Sequence, residues 1–155
     1  MKKVLGLLLM LAGLSAQAAE EKVYLLASAG VNDTTLAHSI FLHEPDITDL
    51  ESCREAVRQA QRDGDWMKYH HILRKDKVRG FSVQMQYLCV TSEQDIEPWF
   101  DRAHYNHAYL IRVDEQARLS VQAMESMAVC MGRYRALPAD VQARSHCAKG
   151  SQQVR

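Results

Sequence analysis

The chain is short of several things that would mark a function. It has no excess of charge of one sign, since 19 Lys and Arg face 19 Asp and Glu. That balance leaves no electrostatic footprint for nucleic acid or an anionic membrane. Aromatic residues are few, at 7%. The longest uncharged run, Val4 to Ala19, falls short of the roughly 20 residues a membrane-spanning helix needs. There is no C-x-x-C, so a thioredoxin-like dithiol is unsupported. The four cysteines also lack the paired close spacings of a four-cysteine zinc site. No G-x-S-x-G, no H-E-x-x-H and no recognisable Cys–His dyad occurs. Without a constellation to which catalytic roles can be assigned, the chain reads as a non-enzyme with no cofactor.

What is present begins with an export signal. Met1-Lys2-Lys3 gives a positive start, Val4 to Leu14 an apolar core, and Ala16-Gln17-Ala18 an A-x-A cleavage site. This pattern predicts a cleaved signal over residues 1–18, of the short kind suited to a Gram-negative periplasm. No cysteine follows the site, so no lipid attachment point and no stable anchor are expected. Loss of Lys2 and Lys3 leaves the mature chain slightly acidic. Its length corresponds to about one domain. An apolar fraction of 47% is enough for a modest core, so disorder is not expected.

The expected fold class is α+β. A small antiparallel sheet packs on one helix and is followed by a C-terminal helical hairpin, the whole stapled by disulfides. One domain spans 19–150, with a β-rich part at 19–91 and a helical part at 92–150, and a frayed tail at 151–155. Val23-Tyr24-Leu25-Leu26 reads as a strand and Ser39 to His43 as its antiparallel neighbour. Thr48 with Glu51 three residues on reads as a capping box. Leu50, Cys53, Val57 and Ala60 then repeat at helical spacing. Met67, Tyr69, His71 and Leu73 alternate as in a strand, with a basic turn from Arg74 to Gly80. In the next strand Phe81, Val83, Met85, Tyr87 and Cys89 share one face. From Ser92 the signal reads as helical. Ile96, Ala103, Leu110, Ala117, Met124 and Met131 recur every seven residues. Pro98 suits a first helical turn, and Cys147 falls on a last short helix.

Four cysteines allow three pairings, and side-chain direction chooses among them. Cys53 and Cys89 both lie on core-seeking faces. Cys130 and Cys147 would come level across a helical hairpin turning at Leu137-Pro138. The expected disulfides are therefore Cys53–Cys89 and Cys130–Cys147. In an exported chain of this size their role is structural.

Three surface features are candidates for function. Glu97, Asp101, His104 and His107 would line one sector of a helix, where His and carboxylate at i, i+3 and i+4 can share zinc or copper. Met124, Met127 and Met131 form a thioether stripe that suits Cu(I), or simply packs a core. The basic turn Arg74, Lys75, Lys77 and Arg79, with Trp99, Tyr105 and Tyr109, offers Arg and aromatic anchors for a protein partner. The leading expectation is a periplasmic or secreted binding or accessory protein acting by contact with a partner in the cell envelope. Envelope, secretion, conjugation and inhibitor or immunity roles all fit. A periplasmic copper- or zinc-handling protein is the alternative, and an unmarked hydrolase the second.

Overall fold

The computed structural model describes residues 20–31, 37–63, 83–100 and 104–155. The expected signal, the strand around Met67 to Leu73 and the Arg74 to Gly80 turn lie outside these residues. Within them the chain runs β1 (Lys22–Val31), β2 (Ala37–Leu42), α1 (Leu50–Asp63), β3 (Val83–Ser92), β4 (His107–Val113) and β5 (Leu119–Met124). It continues through α2 (Met127–Arg135) and α3 (Ala139–Gln142) to β6 (Ser145–Gly150). No helix among the described residues is long and apolar enough to cross a membrane.

The architecture overturns the expected small antiparallel sheet with a helical hairpin behind it. All six strands form one mixed, curled sheet in the order β3-β1-β2-β6-β4-β5. β1 is antiparallel to both β2 and β3, and β4 to both β5 and β6. The join between the two antiparallel halves is parallel, β2 beside β6 through His38 and Lys149. Most of the segment expected to be helical is therefore sheet. Cys147 sits on a strand, and only α2 and α3 keep the helical reading.

The sheet has an inside and an outside because side chains alternate along each strand. Tyr24, Leu26, Phe41, Val90, Tyr109, Ile111, Leu119, Val121 and Ala148 fill the inside of the curl as one cluster. The intervening residues face outward. On the β1–β2–β3 side, Val23, Leu25, Ala27, Ile40 and Leu42 are covered by α1 through Cys53, with Leu50 and Val57 packed alongside. On the β4–β6 side, Leu110 and Cys147 are covered by α2 through Cys130, with Met124, Met127, Met131 and Tyr134 around them. The methionine stripe thus packs a core. β4 is apolar on both faces because it lies between the two layers.

Both disulfides join a helix to a strand: Cys53 of α1 to Cys89 of β3, and Cys130 of α2 to Cys147 of β6. The expected pairs form. The first forms for the expected reason, two apolar faces meeting. The second forms across a helix and a strand, not across a helical hairpin.

Local chemistry sets the helix starts. Asp49, not Thr48, caps α1: its Oδ1 accepts from Ser52 N at 2.7 Å, and Ser52 Oγ accepts from Asp49 N at 3.3 Å. These bonds hold the Asp49 carboxyl below its ordinary range, the Ser52 backbone bond contributing most. Ser126 caps α2 by accepting from Val129 N at 3.2 Å.

Two glutamine side chains stand in for missing strand partners. Gln152 Oε1 accepts from Phe41 N at 2.8 Å, and its Nε2 donates to Phe41 O at 2.8 Å and to Glu97 O at 2.7 Å. This extends the edge of β2 beyond its one ladder pair with β6. Gln94 does the same for β5, accepting from Val121 N at 2.7 Å and donating to Val121 O at 2.9 Å. Nearby, Thr91 pairs with Arg118 and its N–H donates to Ala117 O at 2.9 Å, so the two outermost strands meet at one end of the curl. The terminal residues, expected as a frayed tail, are paired with the chain. Ile96 pairs with Val154, and Asp95 and Arg155 exchange both backbone hydrogen bonds.

Candidate binding surfaces

Among the described residues the expected metal face has no helix to carry it. Residues 97–100 and 104–106 lie outside regular structure, and His107 opens β4. The i, i+3, i+4 spacing therefore does not gather Glu97, His104 and His107. Asp101 lies outside the described residues. The Glu97 carboxylate is already engaged, accepting from Gln153 N at 3.1 Å. Among the described residues no group of three or more His, Cys, Asp or Glu is placed to hold a metal.

The expected partner-contact residues divide. Arg74, Lys75, Lys77 and Arg79 lie outside the described residues. Trp99 and Tyr105 are half-buried and pack against the outer face of β1 and β2. Tyr105 stacks on His38, with ring centroids 4.5 Å apart. Tyr109 is not a surface anchor. It is 2% exposed on the inner face of β4, and its hydroxyl donates to Gln152 O at 2.7 Å. Strand alternation, absent from the helical reading, turns it inward.

The inner face carries one polar cluster that the sequence did not flag. Ser28 of β1, Ser39 of β2 and His146 of β6 meet across three strands. The two hydroxyls are 2.7 Å apart, and His146 Nε2 is 3.4 Å from Ser28 Oγ and 3.3 Å from Ser39 Oγ. Both serines are buried. Burial holds the His146 imidazole below its usual pKa of 6.5, so it is neutral near pH 7. The cluster satisfies polar groups inside the curl. A serine nucleophile would need an approach for substrate, and these hydroxyls are at 7% and 1% exposure.

The open surfaces are on the outside. A groove of about 470 Å³ runs between α1, β3 and the β4–β5 turn. Val57, Tyr87, Leu88, Val113 and Ala117 line it, with Arg54 and Arg58 on the α1 side. Both arginines pair with Glu51. Burial pushes the Tyr87 phenol up to about 12, so it enters as a neutral group. Leu88 shares its strand face with the buried Val90 yet is 44% exposed, because the curl does not close beside it. Thr91 sends its N–H across the seam to Ala117 O. By the alternation of an antiparallel ladder, Cys89 turns its backbone groups to the same side, into the groove.

A second cleft, of about 350 Å³, lies over the outer face of β4 and β5 against α2 and α3. Arg112, Arg133, Ser120 and Gln122 supply its polar wall, and Leu110 and Leu137 its apolar one. Arg112 was missed because its segment was read as helix. Read as a strand, His107 to Val113 places Arg112 on the same face as Leu110. No protein-family model, curated protein or solved structure matches this chain.

Proposed function

We propose that this protein is an exported binding or accessory protein that acts in the cell envelope or beyond it through contact with a protein partner. Its signal pattern and its two disulfides suit an oxidising compartment. The helices are fastened to the sheet, so the outer surfaces are held in one arrangement before a partner arrives, which reduces the entropy cost of association.

The observation that carries this reading is the groove beside β3. It combines an exposed Leu88, a line of apolar side chains and a sheet edge that has a backbone partner at Thr91 and, among the described residues, none at Cys89. An extended segment of a partner laid along β3 would place an apolar side chain against Leu88 and Val57. Main-chain hydrogen bonds would supply affinity, as in other strand-addition complexes.

The test is site-specific photo-crosslinking in the native envelope. A photoreactive residue at Leu88 or Gln86 is expected to capture one discrete partner, while the same residue at exposed Glu125 does not. Leu88→Asp is expected to abolish the crosslink from Gln86 without lowering the thermal midpoint, because Leu88 is already substantially solvated. Equal crosslinking from all three positions, or an unaffected crosslink in the Leu88→Asp variant, would defeat the reading.

A further inference from the structure

We infer that the cleft over β4 and β5 is a binding site for an organic anion, an apolar chain ending in a carboxylate. The argument starts from charge. Arg54, Arg58, Arg62, Arg118, Arg144 and Arg155 each reach an Asp or Glu carboxylate within the molecule. Arg112, Arg133 and Arg135 form no ion pair among the described residues, and the first two of these line this one cleft. No carboxylate lines it with them. Arg112 also borders a neighbouring hollow with Asp114 and Glu115, but those carboxylates bond Arg118 and Arg144, so the two guanidiniums create a positive site that an anion completes.

The two arginines arrive from different elements. Arg112 stands on the outer face of β4, and Arg133 comes from the last turn of α2. The disulfide between Cys130 of α2 and Cys147 of β6, the strand beside β4, fastens the backbones that carry them. The Ser120 hydroxyl and Gln122 amide add donors from the neighbouring β5. Guanidinium forks match a carboxylate through paired, charge-assisted hydrogen bonds. Leu110 and Leu137 offer the rest of the ligand an apolar wall, so a chain with a charged head fits better than a bare ion. The site is separate from the β3 groove and does not depend on the partner proposed there.

The carboxylate can belong to a free acid or to the C-terminus of a peptide, and the experiment separates them. The oxidised protein is titrated with hexanoate, with an acetylated leucine peptide bearing a free C-terminus, with the same peptide as its amide, and with hexylammonium. Amide NMR shifts report binding. Saturable shifts confined to Leu110–Gln122 and Arg133–Ser145 are expected with the carboxylates and not with the amide or the amine. Saturation by hexanoate assigns the site to free acids; saturation by the free-acid peptide alone assigns it to a chain terminus. Arg112→Gln and Arg133→Gln are each expected to weaken binding by roughly tenfold or more. Arg112→Lys should recover only part of the loss, because it keeps the charge without the fork. Unchanged thermal midpoints show that the variants are folded. The proposal is overturned if hexylammonium produces the same shifts, if the glutamine variants bind as tightly as the parent, or if neither carboxylate saturates.

Discussion

Three residues show how this fold meets local constraints that the sequence disguises. Ala117 takes φ of 62°, in the left-handed region, at the turn from β4 to β5. A non-glycine residue there costs about 1–2 kcal/mol. Asp114 holds the turn by accepting at Oδ1 from Gln116 N at 2.9 Å and Arg118 N at 2.8 Å. Ala117→Gly is therefore expected to raise stability by about 1 kcal/mol in urea unfolding; a loss would show that the turn is held some other way. Gly150 is required for a different reason. A Cβ there would lie 2.9 Å from the Tyr109 ring, inside contact distance. His146 gives the molecule a pH dependence. Its imidazole is neutral among the buried serines, with a folded pKa below 6.5. The unfolded chain then binds more protons as pH falls below 6.5. The stability this group supports is complete above that value and declines through the interval down to the depressed folded pKa. Urea midpoints measured between about pH 7.5 and pH 5 should fall, and His146→Gln should flatten the fall. Asp49 and Asp114 act only further down, since their carboxyls are held below 3.8 by backbone hydrogen bonds. An equal slope in the variant would remove His146 from the explanation.

At the scale of elements, each disulfide fastens one helix to the sheet. The loops they close span 36 and 17 residues in sequence, for which the chain-entropy model gives about 4 and about 3 kcal/mol. Replacing Cys53 and Cys89 by Ala should speed amide exchange through α1 before α2 is affected, since the second bond still holds α2 to β6. Uniform acceleration throughout would mean that the helices are not independently fastened. The staples do not separate a β-rich half from a helical one, because β6 joins β2 and both halves share one sheet. β3 and α1 were legible because their patterns alternate or repeat at helical spacing, and β1 and β2 because they are short apolar runs bounded by turn residues. β4 and β5 were not. Leu110, Ala117, Met124 and Met131 do recur every seven residues, but they fall on a strand, a turn, a strand end and a helix. β4 is apolar on both faces from Ala108 to Ile111, as β1 is, but its run falls within the seven-residue recurrence and so read as helix. Its turn has Asp114-Glu115-Gln116-Ala117, with no glycine or asparagine to mark it. In retrospect β5 carried a signal, since Leu119 and Val121 alternate with Ser120 and Gln122.

The whole molecule depends on closing a curled sheet whose edges are not fully paired by strands. Gln94 and Gln152 supply backbone-like partners, and residues 152–155 run against 95–97. The last five residues, expected to fray, are therefore part of the closure. Deleting 151–155 removes Gln152 from Phe41 and Val154 from the inner core, and leaves the Phe41 backbone N–H and C=O without their partner. A loss of roughly 3–5 kcal/mol is expected from that combination, read as a lowered urea midpoint by circular dichroism; an unchanged midpoint would refute the closing role. Gln152→Ala alone should account for about half of it, since it removes the hydrogen bonds and keeps the chain.

The amino-acid sequence by itself determined β3, α1 and the Cys53–Cys89 pair, because both of those cysteines sat on faces that had to be buried; the Cys130–Cys147 pair formed on elements other than the expected hairpin. It also carries the charged start, apolar run and Ala16-Gln17-Ala18 on which the proposal of export rests, and no recognised catalytic motif. It could not determine which strands meet. That depends on the parallel contact between β2 and β6 and on two glutamine amides bonding to backbone far away in sequence. Only the tertiary structure turned Tyr109 into core, dispersed the expected metal face, left Leu88 at an open seam and brought Arg112 and Arg133 to one cleft. Each of those outcomes follows from contacts between residues far apart along the chain, which no local period encodes.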